Sequence, residues 1–303
     1  MDVGVIGVGA MGRNHVRVYS ELKNVRNVAV FDVNTAAAAA IGGQHGAEVC
    51  ASVDELLARV DAVSVCVPTP LHAATVRQVF SARKHVFIEK PIAATAQEAV
   101  ELMKSAPAGI TIGVGHIERF NPVIAEIRKI VEKPLYVEMK RHNPASARVT
   151  GSTIIEDLMI HDIDILLHLF GRPSSMRSAG TMDVCSVLMK FGTVPVYLSA
   201  SRKSSKKIRM IYIEQEDCTI EGDFMTQEVT IYRKPGQYSF EAERYVQENI
   251  IEKVMVNKVE PLKVELATFA DCARAGRSFP ITPEQAIENL RVCEEIQGGL
   301  GVP

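Results

Sequence analysis

The sequence lacks the features that would direct a chain to a membrane, a nucleic acid or an oxidising compartment. No apolar run in its 303 residues reaches the roughly 18 residues that a membrane span needs. The first residues lack the basic-then-apolar order of a secretory signal and enter a strand-like segment at once, so no leader is expected. Six cysteines (Cys50, Cys66, Cys185, Cys218, Cys272 and Cys293) are scattered without a Cys-x-x-Cys pair. Several lie inside apolar runs, which suits reduced core thiols in a cytoplasm and offers neither a disulfide framework nor a paired-cysteine metal site. The formal net charge is only −2, too little to draw the whole molecule to nucleic acid or anionic lipid. No internal repeat or low-complexity tail is present; the alanine run at 36–40 is the best helix former and reads as helix.

What is present is ordinary globular composition, 47% apolar and 23% charged, enough for a large core and two domains. Through residues 1–118, short apolar runs at 3–6, 28–31, 62–67, 86–88 and 110–114 alternate with helix-like stretches at 11–22, 35–41, 53–59, 72–82 and 96–104. That alternation is the signature of a parallel sheet covered by helices. From 119 to 303 the pattern changes. A helix at 123–131 and a strand at 135–141 precede a long helix at 154–170. Closely spaced β-rich runs follow at 184–191, 194–201, 208–214, 218–221 and 228–232, then helices at 264–275 and 283–297. Strands joined by short turns make a mostly antiparallel sheet. The expected architecture is α/β: a doubly wound parallel domain over 1–118, then an α+β domain over 119–303, with its last helix free to pack back on the first.

The run Val3-Gly4-Val5-Ile6 leads into Gly7-Val8-Gly9-Ala10-Met11-Gly12, which reads as strand, tight turn and helix. A Gly-x-Gly-x-x-Gly alone is a weak signal, and a glycine-rich turn in another α/β fold would share it. In this context the glycines allow the turn, let backbone approach a pyrophosphate and let helix pack on strand, the Rossmann fingerprint. The helix N-terminus adds free N–H groups and about half a positive charge. The second strand runs out at Asp32, where an acid hydrogen-bonds the adenosine ribose hydroxyls and would repel a 2′-phosphate. No arginine follows closely, so NAD is the expected cofactor. Strands ending in Val67-Pro68-Thr69-Pro70-Leu71-His72 and in Glu89-Lys90-Pro91 reach the edge where a nicotinamide lies. The expected cofactor set is therefore Gly7, Gly9, Ala10, Met11, Gly12, Asp32, Val67, Pro68, Thr69, His72, Glu89 and Lys90. Lys90 has the charge to stabilise a developing alkoxide; a solvated Glu89-Lys90 pair on a turn has the same spacing.

In the helix at 154–170, Thr153 and Glu156 form a capping box, and Gly171 and Pro173 end it. Asp157, His161, Asp164 and His168 fall on one stripe at helical spacing, flanked by apolar residues, so the charges are buried and costly unless paired or used. Asp157 stands one turn from His161 and can orient it as an acid–base group, the kind of group that contributes on the order of 10²–10⁴ in rate. A structural Asp–His pair, or a metal site on Asp157, His161 and His168, fits the same spacing; no other His or Cys cluster completes the metal site, and none is expected.

These segments, in this order, resemble the Gfo/Idh/MocA family of sugar and cyclitol dehydrogenases nearly end to end. The resemblance implies that His161 is the acid–base residue, that Lys90 is its partner at the reacting hydroxyl, and that Asp157 orients the site. It also implies a C-terminal sheet with an open face used for homodimers or homotetramers, and it allows a cis Lys90–Pro91 bond. The runs Gly115-His116-Ile117-Glu118-Arg119-Phe120-Asn121-Pro122 and 157–164 are similar to a subgroup that oxidises the C3 hydroxyl of UDP-N-acetylglucosamine with NAD. On that resemblance Arg119, Asn121, Arg141 and Arg148 join Lys90, Asp157 and His161 as candidates to hold a nucleotide sugar, since arginine forks suit phosphate. Each arginine reads equally as an exposed surface charge, and the basic run 202–209 as a solvated hairpin too short for nucleic acid. A dehydrogenase of a free sugar or inositol is one alternative. A protein that senses NAD(H) without chemistry is another.

Overall fold

A computed structural model describes residues 1–148, 152–234, 238–241, 244–247 and 250–300, and their contacts divide the chain into two units. The first comprises 1–117 with 260–291, the second 118–259 with 292–303.

The first unit holds six parallel strands: β1 (Asp2–Ile6), β2 (Asn27–Phe31), β3 (Glu48–Val49), β4 (Ala62–Val65), β5 (His85–Glu89) and β6 (Ile112–Gly115). Their spatial order, β3-β2-β1-β4-β5-β6, reverses between β1 and β4. The central strands are buried throughout and mostly apolar, as a parallel sheet covered on both faces requires. Connecting helices are α1 (Ala10–Glu21), α2 (Thr35–His45), α3 (Val53–Arg59), α4 (His72–Ser81) and α5 (Ala96–Lys104). Asn34, Ser52 and Thr95 cap α2, α3 and α5 through side-chain oxygens that accept from the third residue on, satisfying N–H groups that a helix start leaves unpaired.

Residues 260–291 return to this unit for an identifiable reason. Phe269 and Phe279 pack edge-on against Phe87 of β5, with ring centroids 5.4 and 5.9 Å away. Arg17 with Glu260, Glu21 with Lys263 and Asn24 with Asp271 add polar contacts between α1 with the turn that follows it and the later helix α8, defined below, with its N-cap Glu260.

In the second unit, α6 (Pro122–Ile130), β7 (Tyr136–His142), a π-helical turn (Ile155–Met159) and α7 (Ile160–Phe170) precede the strands β8 (Ser175–Gly180), β9 (Val184–Phe191), β10 (Val194–Ser201), β11 (Ile208–Glu214), β12 (Cys218–Asp223) and β13 (Glu228–Arg233). A short hairpin of β14 (Tyr238–Glu241) and β15 (Arg244–Gln247) leads to β16 (Ile250–Val254). Two helices close the order, α8 (Pro261–Ala275), which belongs to the first unit, and α9 (Pro283–Gly299), whose residues from 292 on belong to the second. The eight-stranded sheet runs β16-β13-β12-β11-β7-β10-β9-β8, antiparallel except where β7 pairs parallel with β10. Burial alternates cleanly along β7 and β9, the mark of one packed and one open face.

Several features depart from the sequence reading, among them the unforeseen hairpin of β14 and β15. Edge strands β8 and β16 are exposed along most of their length, so neither carries the apolar alternation that betrays a strand. The two-residue β3 is too short to leave a pattern. The helix expected over 154–170 opens with a π turn before it becomes α-helical.

Gly222 of β12 shows how tightly the second core is closed. A Cβ there would lie 2.8 Å from Val123 and 2.9 Å from both Ile127 and Ile211, so α6 lies directly on the bare backbone of the strand. Replacing Gly222 with valine is expected to cost about 2–3 kcal/mol through overpacking, read as a lowered urea midpoint of this unit.

Candidate active site

The first unit carries a cleft of about 550 Å³ along the carboxyl ends of its strands. Gly7, Gly9, Ala10, Met11, Asp32, Val67, Pro68, Thr69, His72, Glu89 and Lys90 all line it. Gly12 alone of the expected cofactor set lies beneath, where a Cβ would meet the Gly7 carbonyl oxygen at 1.8 Å. Gly7 sits at φ +89°, in the left-handed region, and the space over Gly9 is open to 4 Å. The start of α1 has no side-chain cap and no acidic residue in its first turn. Its N–H groups and partial positive charge thus face the cleft, a cradle that fits a pyrophosphate.

Asp32 is fixed in place by backbone. Its Oδ2 accepts the Val8 N–H at 2.7 Å and its Oδ1 the Asn34 N–H at 2.8 Å. Beside it Val33 is 91% exposed, an apolar surface at the rim of the cleft. Sequence reasoning missed Val33, and also Ile6, Phe31, Cys66 and Leu71, which line the same cleft. These are the strand ends and turn residues next to the ones the motif marks.

At the other end, His72 bridges the two segments expected near a nicotinamide. Its Nδ1 lies 2.8 Å from the Pro91 carbonyl oxygen and its Nε2 2.9 Å from that of Val67. Burial pushes its imidazole below the ordinary value, against the pull of the two carbonyls. The Lys90–Pro91 bond is cis. Glu89 is buried with only its edge on the cleft. Its Oε2 accepts the Lys90 N–H at 3.2 Å, and its Oε1 accepts from His15 Nε2 at 2.9 Å. Burial works to raise the Glu89 carboxyl, but the His15 bond and the charge of Lys90 outweigh it and hold the group below its ordinary value. His15, wholly buried on α1, was not foreseen as part of this cleft.

In the second unit, the single polar stripe expected on the long helix is divided among several partners. Asp157, in the π turn, accepts from Ser146 Oγ and lies 3.7 Å from Arg202 Nη2. Asp164 takes both arms of Arg119, at 2.7 and 2.9 Å, while His168 meets a third guanidinium nitrogen of Arg119 at 3.0 Å. Thr153 and Glu156 form the capping box, with reciprocal bonds of 3.1 and 3.2 Å. The wider turn at 155–159 explains the division, because it rotates Asp157 away from the line that carries Asp164 and His168. His161, the first position after that turn but one, is half-buried. Among the described residues, no three His, Cys, Asp or Glu side chains gather so as to hold a metal ion.

The substrate-holding candidates mostly serve the core. Arg141, 1% exposed, donates through Nε to Asp162 at 2.8 Å and through Nη1 to Glu118 at 2.7 Å, with its guanidinium 5.7 Å from the Phe224 ring centre. Asn121 caps α6 through Oδ1 and donates to Glu118 and to the Phe224 carbonyl. Arg209 reaches Glu118 at 3.4 Å. Arg119 and Arg141 are thus neither exposed surface charges nor open phosphate forks, since buried carboxylates already occupy them. The Arg148 side chain lies outside the described residues. Burial works to raise the Glu118 carboxyl, yet Arg141 and Arg209 outweigh it and hold it low. Of the basic run, Arg202 is buried beside Asp157, whereas Lys203 is exposed and pairs with Asp183. Replacing Arg141 with methionine would remove the buried guanidinium that Glu118 and Asp162 share, at an expected cost of about 3–5 kcal/mol, measured as a lower midpoint of urea unfolding.

A model of an oxidoreductase family with an NAD-binding Rossmann fold, Gfo/Idh/MocA, matches residues 1–116. The chain is 34% identical over 245 residues to UDP-N-acetylglucosamine 3-dehydrogenase from Acidithiobacillus ferrooxidans, covering 77% of each chain. A solved structure of an enzyme of that name and organism superposes with a TM-score of 0.87 at 29% identity, over 99% of this chain and 97% of that one. Inositol 2-dehydrogenase from Rhizobium meliloti is 32% identical over 212 residues, 62% of this chain and 64% of that protein.

Proposed function

The chain belongs to the Gfo/Idh/MocA oxidoreductase family, and on that premise we propose that it oxidises a secondary ring hydroxyl of a nucleotide sugar, with NAD as acceptor. The observation that carries the cofactor reading is the cleft with Asp32 anchored at one end and Lys90 at the other. When bound, the nicotinamide ring supplies a site for the departing hydride. The open backbone over Gly9 and the uncapped start of α1 hold the pyrophosphate, and Asp32 receives the adenosine ribose hydroxyls.

Within this reading His161 takes the hydroxyl proton, Asp157 orients it, and Lys90 stabilises the oxygen as negative charge develops. The 34% identity to UDP-N-acetylglucosamine 3-dehydrogenase over 77% of each chain supports the C3 hydroxyl of UDP-N-acetylglucosamine as the target. Inositol dehydrogenases match at similar identity over less of their length, which supports a second reading, a cyclitol or free sugar. Both substrates present a secondary hydroxyl on a six-membered ring, so the chemistry asked of the three side chains is the same. We also propose a homodimer or homotetramer that works in the cytoplasm.

The test is NADH absorbance with UDP-N-acetylglucosamine, free N-acetylglucosamine and myo-inositol. Turnover of the first alone supports the nucleotide-sugar reading, and turnover of inositol alone replaces it. His161→Ala is expected to lower kcat on the preferred substrate by about 10²–10⁴; a change of only a few-fold would remove His161 from the mechanism.

Asp32 bears on the choice between cofactors. Its carboxylate is pinned where a 2′-phosphate would come, and no arginine stands in the next few positions. Asp32→Ser is expected to raise kcat/KM for NADP relative to NAD by about tenfold. An unchanged ratio in steady-state kinetics would mean that Asp32 does not discriminate.

A further inference from the structure

Glu89 is a buried carboxylate with one edge open to the cofactor cleft, and its two oxygens are held differently. Oε2 accepts the Lys90 N–H, which ties the acid to the turn that carries the lysine. Oε1 accepts from His15, an imidazole with no exposure, wedged edge-on against Phe87 and Tyr19 at ring distances of 5.6 and 6.2 Å. A methyl group on Gly115 would come within 3.0 Å of Oε1, so the carboxylate is packed from the β6 side as well. A side chain confined on this many sides is a fixed charge rather than a mobile one.

The position of that charge matters. From the Asp32 end of β2 to the Glu89 end of β5 are three strand spacings in the order β2-β1-β4-β5, about 14 Å. A dinucleotide with its adenosine ribose at Asp32 therefore brings its nicotinamide to the Glu89–Lys90 end of the cleft. The oxidised ring carries a positive charge and the reduced ring carries none. Lys90 lines the same end, and its ammonium disfavours the oxidised ring. A neighbouring negative charge that offsets it would let one site use lysine for oxyanion stabilisation and still accept a cationic ring.

We propose that Glu89, buttressed by His15, biases the cleft toward oxidised over reduced nicotinamide, with His15 as the positioning residue that keeps Glu89 aimed and charged. This rests on the cofactor reading above and extends it to the oxidation state the cleft prefers. Beyond His15, the cleft-side and buried neighbours of Glu89 add little competing charge. Cys66 and Tyr19 are pushed up by burial and stay neutral, and His72 is pushed down by burial. The charged side chains that line this end of the cleft are those of Glu89 and Lys90.

The experiment is calorimetric titration of NAD⁺ and NADH, each alone, into the wild-type protein and three variants. Glu89→Gln keeps the shape and removes the charge; it should weaken NAD⁺ by about tenfold relative to NADH. His15→Leu removes the donor to Oε1 and should move the same ratio in the same direction. His15→Gln retains an N–H near the Nε2 position and should leave the ratio within about twofold of wild type. A purely structural role would weaken both ligands alike, so equal losses, or an unmoved ratio in Glu89→Gln, overturn the proposal. Should His15→Leu fail to fold, Glu89→Gln and His15→Gln still decide it. Wild-type protein that binds neither ligand would instead overturn the cofactor reading itself, whereas absence of sugar turnover would touch only the substrate.

Discussion

A Cβ on residue 12 would lie 1.8 Å from the carbonyl oxygen of Gly7, so α1 can reach the turn after β1 only because that position has no side chain. Much of the first unit follows from this approach. It opens the first turn of α1 to the cleft, and it sets the depth at which the next buried turns of that helix sit. His15 then meets Glu89 and Tyr19 meets Ser64, at 2.9 and 2.8 Å. A helix displaced by the width of a methyl group would lose both bonds. The fingerprint is therefore a packing device as much as a binding one, and the cleft's charges are placed by backbone proximity.

The second unit solves a different problem. Glu118, Arg141 and Asp162 put three formal charges into a region from which water is largely excluded, with half-buried Arg209 at its edge as a fourth. Such a cluster is tolerated because the signs alternate and every group has a directed partner; apolar replacements of matching shape would serve stability as well. What the ions give instead is fixed geometry. Arg141 ties β7 to α7 and to the segment before α6 at once, which locates the helix that carries Asp157 and His161 against the sheet. The second such pair, Arg119 with Asp164, holds the same helix from another side.

The parallel half was legible because each strand there is a short apolar run between punctuated helices; the helices at 53–59 and 96–104 have the bounds that the pattern predicts. The strands at 184–191, 194–201 and 208–214 were equally clear, since one covered face enforces alternation. Edge strands gave no such sign. The fate of the arginines was illegible for another reason: Arg141 finds Asp162 and Glu118 at separations of 21 and 23 residues, and Arg119 finds Asp164 at 45. Local spacing cannot reveal a partner that only the fold supplies. His15 is an intermediate case. Gly12, Val16 and Tyr19 mark the buried face of α1 at helical spacing, so a histidine between them was already identifiable as a buried polar group in need of a partner.

His72 has two carbonyl oxygens within bonding distance and, in the neutral form that burial favours, a single proton to offer. With the hydrogen on Nδ1 the ring secures the Pro91 segment and sets a lone pair against Val67; with the hydrogen on Nε2 the arrangement reverses. The two walls of the cleft nearest Lys90 thus compete for one hydrogen atom. Whichever carbonyl faces the bare ring nitrogen loses the imidazole as its donor, so the choice of tautomer, with no change in any backbone angle, sets which of the two walls the ring ties down.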